Sequence, residues 1–304
     1  MEPPAPVAAN FARHETEGSR ASTFSMADMD TREILDLALR LARQSEVPPD
    51  TGIDVPAEDV RKILFGIDVD VGDLVMARQM GYDLVISHHP TGGSAVLDFP
   101  KVLEKHGDIL RRHGVPAEAA QEAVRELQEE RGPAAHARNY DRLPSVARML
   151  GLGLMCIHNP CDEIGRRTMD DALRANLPPR PRVRDAIDVL YGIAEFRAAK
   201  TRILVAMGDL DYPLGTWAVF HGAGTNGGFP VARAAFGHGI DTVFYIHVDA
   251  GHLRRIREAF GGAGNKNLVV TGHVASDSIG VNAVVRELRS RGFRVDTYSG
   301  VVDV

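Results

Sequence analysis

The chain has 304 residues, 44% hydrophobic and 25% charged, with a net charge of -6 and a pI near 6.1. That length suits one large α/β unit or two intertwined domains, and the acidic balance argues against nucleic acid, whose binding needs clustered Lys and Arg. The two cysteines, Cys156 and Cys161, are too few for a disulfide scaffold; no apolar run reaches the ~18 residues of a membrane span; and the N-terminus lacks the basic-then-apolar order of a signal peptide, so the cytoplasm is the expected compartment.

Residues 1–26 contain Pro, Ala and Ser without periodicity and are expected to form a flexible N-terminal arm or a strap on a partner subunit. TREILDLALRLARQ predicts the first helix, with Asp30 or Thr31 as its N-cap, and SEVPPDTGIDVP a polar loop. A β–α–β series follows. VRKILFGIDVD carries a short strand, VGDLVMARQMG a helix closed by Gly81, and YDLVISHHP a second strand ended by Pro90. DLVIS is apolar without alternation, the mark of a parallel strand covered on both faces.

Residues 98–150 read as helical throughout, an insertion within the first αβ domain that could cover a site or serve assembly. GLMCIH returns to strand and MDDALRANL to helix. The turn-rich PPRPRV places a boundary between a first αβ domain at 27–180 and a second at 181–304. In the second, TRILVAMG, GTWAVFHG, DTVFYIHV, KNLVVTGH and FRVDTYSG are strands, separated mostly by helices, and no fixed-period repeat is visible. The expected fold class is α/β: two αβ halves with mixed, largely parallel sheets covered by helices. Ligands should bind beyond the carboxyl ends of the strands, between the halves.

Three strand ends carry chemistry. Ser87-His88-His89-Pro90 puts two imidazoles past DLVIS, good ligands for Zn, Fe or Mn if the backbone leaves the strand there. Alone, the pair also reads as two loop histidines. His158-Asn159-Pro160-Cys161-Asp162 offers a carboxylate that could bridge cations, or merely cap the next helix. Gly272-His273-Val274-Ala275-Ser276-Asp277 sets an imidazole and a carboxylate four residues apart at a helix start, where Asp277 could equally be a cap. Three such ends together favour a metal site of imidazole and carboxylate, without Cys156 or Cys161. Such a ligand set suits two divalent ions of Zn, Fe, Mn, Co or Ni, which would lower the pKa of a shared water. HGAGTNGG at 221–228 precedes a helix and reads as an anion-holding loop or a tight turn.

The stretches ILFGIDVD, GYDLVISHHP, IHNPCDEI, FHGAGTNGG and VVTGHVASDSIGVNAVVRELRSRG, spanning about 60–290, resemble the Nif-three-like dinuclear-metal proteins, which carry the name GTP cyclohydrolase I type 2. The resemblance implies a two-metal site at His88, His89, Asp162, His273 and Asp277, with His158 a weaker ligand candidate. It also implies a ring-like homo-oligomer, commonly a hexamer. It favours a cavity-facing loop, making Gly222, Gly224, Thr225 and Asn226 candidate substrate contacts; a looser match adds Asp249 and His252. His158 or His247 could carry protons.

Two departures stand out. Asp277 replaces the family's usual Glu, and the stretch between HHP and H-x-x-x-D is longer than the family's. The expected function is a metal-dependent hydrolase or cyclohydrolase acting on a small molecule or nucleotide. The rival is a metal-binding regulatory or assembly protein that does no chemistry.

Overall fold

Asp30 opens the first helix through a reciprocal cap: its carboxylate accepts from Glu33 N at 2.8 Å, and Glu33 accepts from Asp30 N at 2.9 Å. That helix, α1 (Thr31–Ala42), stops where Arg43 turns left-handed. In the computed structural model the described residues are 29–222 and 227–304, so the expected arm at 1–26 lies outside them. The loop expected after α1 contains a strand, β1 (Gly52–Val55), which pairs antiparallel with β4 (Gly153–Cys156). At four half-buried residues, β1 is too short for its periodicity to stand out among polar neighbours.

The first sheet runs β1-β4-β3-β2-β9, with β2 (Lys62–Gly66), β3 (Leu84–Ser87) and β9 (Arg294–Tyr298), all parallel except the β1 edge. The second runs β5-β8-β7-β6, with β5 (Leu204–Met207), β6 (Trp217–Phe220), β7 (Thr242–Tyr245) and β8 (Asn267–Val270). It too is parallel apart from its β5 edge. The expected α/β class with two helix-covered, largely parallel sheets is what the chain adopts. The chain of the second half does not stay with its sheet, because β9 crosses back to lie beside β2 in the first.

Helices cover both sheets. α2 (Val71–Gln79) joins β2 to β3. The helical insertion divides into α3 (Gly93–Leu97), α4 (Phe99–Val102), α5 (Glu104–Arg112), α6 (Ala117–His136) and α7 (Arg142–Leu150). Its apolar face packs on the second half: Leu110, Val124 and Leu127 share a core with Phe220, Val231 and Phe236. Glu126 reinforces this through Arg233 at 3.0 Å and Arg255 at 3.1 Å. The insertion is thus a bracket, leaving the first sheet after β3 and returning to it at β4.

α8 (Asn159–Asn176) follows β4, and α9 (Val183–Leu190) and α10 (Ala194–Ala198) lead to β5. α11 (Gly228–Gly237), α12 (Ala250–Phe260) and α13 (His273–Ser290) follow β6, β7 and β8. α8 begins well before the expected 169, and α13 begins at His273 rather than near Ser278. The two helices touch at Gly280, where a methyl group would overlap the Cys161 carbonyl.

Candidate metal centre

Beyond β3 the ladder continues for two residues: His88 N donates to Gly66 O at 2.8 Å and His89 N to Ile67 O at 3.0 Å. The chain then turns, which keeps both rings on one side with centroids 5.0 Å apart. Each ring is held by its Nδ1. His88 Nδ1 lies 3.3 Å from the Ile157 carbonyl and His89 Nδ1 2.7 Å from Asp68 Oδ1. An Nδ1 so engaged carries the proton and leaves the Nε2 lone pair for a cation.

The other two strand ends use one device twice. His158 is the N-cap of α8 and Asp162 lies in its first turn; His273 starts α13 and Asp277 lies one turn on. The i, i+4 spacing turns each imidazole toward its carboxylate: His158 Nε2 to Asp162 Oδ2 is 3.8 Å and His273 Nε2 to Asp277 Oδ2 is 3.1 Å. Close contact of α8 with α13 brings the two carboxylates together.

All five expected metal residues converge. His88 Nε2 lies 3.3 Å from Asp162 Oδ1 and 3.6 Å from Asp277 Oδ2. His89 Nε2 lies 3.6 Å from Asp277 Oδ2 and 3.2 Å from His273 Nε2. Asp277 belongs to two clusters close enough to hold an ion, one with His88 and Asp162 and one with His89 and His273; His158 joins His88 and His89 in a third.

Sequence reasoning missed one residue at this centre, His221. It ends β6, is 1% exposed, and places Nε2 3.1 Å from Asp162 Oδ1 and 3.3 Å from Asp277 Oδ1. The signal was present, since His221 ends a strand as His88, His158 and His273 do, but the glycines beside it drew the reading toward anion binding.

The donor set fits metal ions. His88 Nε2 and both Asp277 oxygens are buried without a well-formed hydrogen bond, a costly state unless a cation occupies the space between them. The electrostatics agree. Burial disfavours charge on both carboxylates, yet His221 and His158 hold Asp162, and His88 and His221 hold Asp277, well below the usual carboxylate range. Burial likewise opposes protonation of His88 and His221, but the two carboxylates outweigh it. His88 rises well above the ordinary imidazole range and His221 to about 9. Protons stand here where cations would compete for the same lone pairs.

A cavity of about 340 Å³ opens beside His89 and His158, and Phe99, Arg138 and Leu143 of the insertion also line it. Among the described residues, the remaining candidates do not line that cavity. His247 packs on His273 with centroids 4.7 Å apart, and its pKa falls to about 4 through burial and that neighbour. His252 Nδ1 accepts from Phe229 N at 3.0 Å and its Nε2 lies 3.1 Å from Glu130, while Asp249 pairs with Arg131 at 2.9 Å. Those two therefore clamp α6 to α12 and do not line the cavity. Gly222 offers its carbonyl to Asn159 Nδ2. Gly224, Thr225 and Asn226 lie outside the described residues. Cys156 and Cys161 are both buried, and burial pushes both thiols up.

Two like sheets whose strand ends send imidazoles and carboxylates to a shared centre define an α/β protein with a candidate metal-binding site. A solved NIF3 superfamily protein from Sphaerobacter thermophilus is 45% identical to this chain, covers 90% of it and 98% of its own length, and superposes with a TM-score of 0.86. The chain belongs to the NIF3 superfamily. Reduced HcgD from Methanocaldococcus jannaschii (12% identity, 91% of this chain and 99% of that one, TM-score 0.53) shares the fold alone. So does ybgI, a structural-genomics protein of unknown function (17% identity, 89% and 98%, TM-score 0.51). No family model and no curated protein matches the chain. Among the described residues no helix is long and apolar enough to cross a membrane.

Proposed function

We propose that the protein is a dinuclear metal-dependent hydrolase, with two divalent transition-metal ions held by His88, His89, Asp162, His273 and Asp277. The observation that carries this reading is the convergence of buried donors, three without a well-formed hydrogen bond, beside an open cavity. Bound there, such ions would lower the pKa of a water and polarise an electrophilic substrate atom.

The chain supplies the rest. Asp277 turns one oxygen toward His221 and the other toward His89 and His273, which fits a bridging carboxylate. His158 lines the cavity with its Nδ1 facing Asp50, so its Nε2 is placed to take up or deliver a proton. Phe99, whose ring lies nearly parallel to His158, and Leu143 keep bulk water from that face. Arg138 is the one Arg or Lys among the described lining residues and would orient an anionic group. The small volume and single guanidinium support a small ester with one anionic group as substrate, over a purine triphosphate.

The test is elemental analysis of protein purified without a chelating tag, followed by hydrolysis assays on phosphomonoesters, phosphodiesters, carboxylic esters and GTP. Two equivalents of metal in wild type, lost in His88→Ala and Asp277→Ala together with ester hydrolysis, is the expected result. Wild type that takes up no metal on reconstitution would overturn the reading, and turnover of GTP alone would overturn the substrate class.

The assembly expected from the resemblance belongs to this proposal as a homo-oligomer, hexameric in the first instance. Its support is the β5 edge, where Leu204 is 59% and nearby Leu210 46% exposed. Light scattering at micromolar concentration checks it, and a monomer would refute it.

A further inference from the structure

The donors around Asp277 fall into two sets that differ in burial and in number. The first comprises His88 Nε2, His221 Nε2, Asp162 Oδ1 and Asp277 Oδ1, from side chains no more than 2% exposed. Three separations within it are 3.1, 3.3 and 3.3 Å. Two ligands about 2.0–2.1 Å from one tetrahedral ion stand about 3.3–3.4 Å apart, so each of these three pairs has the spacing of two ligands that share an ion. The second comprises His89 Nε2, His273 Nε2 and Asp277 Oδ2, with separations of 3.1, 3.2 and 3.6 Å. It has three donors, its imidazoles are 25% and 40% exposed, and His89 faces the cavity.

We infer that His221 is a metal ligand from the second sheet that closes the buried position, leaving the centre asymmetric: one position enclosed by four protein donors, the other held by three and open toward the cavity. This rests on the dinuclear reading above and extends it. A closed four-donor position is the form structural sites take, and an open one the form catalytic sites take. His221 is built into place from three sides. Gly165 of α8 leaves it room, since an added Cβ there would lie 2.9 Å from His221 Cε1. Asn159 holds the next carbonyl, Gly222 O, and is itself held by Gln44 Nε2 at 2.7 Å. The Nε2 atom meets both carboxylates at once, as a ligand to an ion between them must.

The asymmetry predicts unequal release. Zinc-loaded wild type challenged with a chromophoric chelator should lose one equivalent fast and one at least about tenfold more slowly. In His221→Ala the slow phase should vanish, and His221→Cys, whose thiolate can ligate, should restore much of it. Gly165→Ala keeps the imidazole but crowds it, and should hasten the slow phase. X-ray absorption on wild type carrying one equivalent of zinc provides a reading free of variants: two imidazoles per zinc are expected, with oxygen completing the shell.

Two equivalents that leave wild type at one rate, a slow phase unchanged in His221→Ala, or a single imidazole around the first zinc would each overturn the inference and leave the dinuclear reading intact. Failure of wild type to bind zinc would overturn both.

Discussion

Asp50 Oδ2 lies 2.9 Å from His158 Nδ1, and both side chains are buried at the point where β1 meets the end of β4. The contact has an ion-pair distance without straight hydrogen-bond alignment. Its effect is to favour the tautomer with the proton on Nδ1, turning Nε2 to Asp162 and the centre. The backbone supports it, since His158 N donates to Thr51 Oγ1 at 3.2 Å. A carboxylate that orients a working histidine at a metal centre is worth about 10–100-fold in activity. Asp50→Asn at full zinc loading should lose that much in the rate of ester hydrolysis, since the histidine it orients is the proton carrier. Asp68→Ala removes the equivalent partner of His89, but Asp68 is 76% exposed, so stability should change by under ~1 kcal/mol. Unchanged ester hydrolysis in Asp50→Asn would show that His158 needs no orienting.

The crossing of α8 and α13 sets the distance between the two carboxylates. A Cβ at Gly280 would overlap the Cys161 carbonyl, one residue from Asp162, while Gly280 itself is three residues from Asp277. Gly280→Ala should therefore part the helices, costing about 1–3 kcal/mol in urea unfolding and weakening metal retention together. A variant that loses stability yet keeps both equivalents of metal would contradict the link between crossing and site.

Much of this was legible in the chain. The parallel strands announce themselves as unalternating apolar runs, and His88, His89, Asp162, His273 and Asp277 stand at their ends. What was not legible has physical reasons. β1 is four residues in a polar loop. The two sheets share a strand pattern, an antiparallel edge followed by three parallel strands, to which β9 adds a fourth in the first sheet, and His158-x-x-x-Asp162 matches His273-x-x-x-Asp277 after β4 and β8. The helical insertion between β3 and β4 lengthens one half only, so the correspondence has no constant spacing and no repeat shows in the sequence. His221 went unread because its partners lie 59 and 56 residues away in the chain, on α8 and α13.

Arg138 lines the same cavity as His89 and His158. If it orients an anionic substrate, Arg138→Ala should raise KM for an anionic ester by about 10–100-fold, the worth of a charge-assisted hydrogen bond, with kcat changed far less. A neutral carboxylic ester should show no such rise, and Arg138→Lys should recover part of the loss. Equal KM changes for charged and neutral esters would assign Arg138 to wall packing.

Asp54 gives the protein a pH-dependent weakness next to the cavity. Burial raises its carboxyl from 3.8 to about 6, against the opposing pull of Thr91 Oγ1, which donates to it at 3.0 Å. Gly93, at a φ of 55°, packs so close to Asp54 Oδ1 that solvent has little access from that side. The sign follows from proton uptake. Between pH 3.8 and about 6 the unfolded chain has released this proton and the folded chain still holds it. The stability it confers is complete below 3.8, declines through 6, and above that the buried charge is a fixed penalty of about 1–3 kcal/mol. Asp54→Asn keeps an oxygen for Thr91 and removes the charge. At equal metal loading, the variant should be more stable than wild type by about 1–3 kcal/mol at pH 8 and indistinguishable from it near pH 4. Urea midpoints across that range decide the matter: a gain that is the same at both ends would mean the substitution acts through packing rather than through the buried charge.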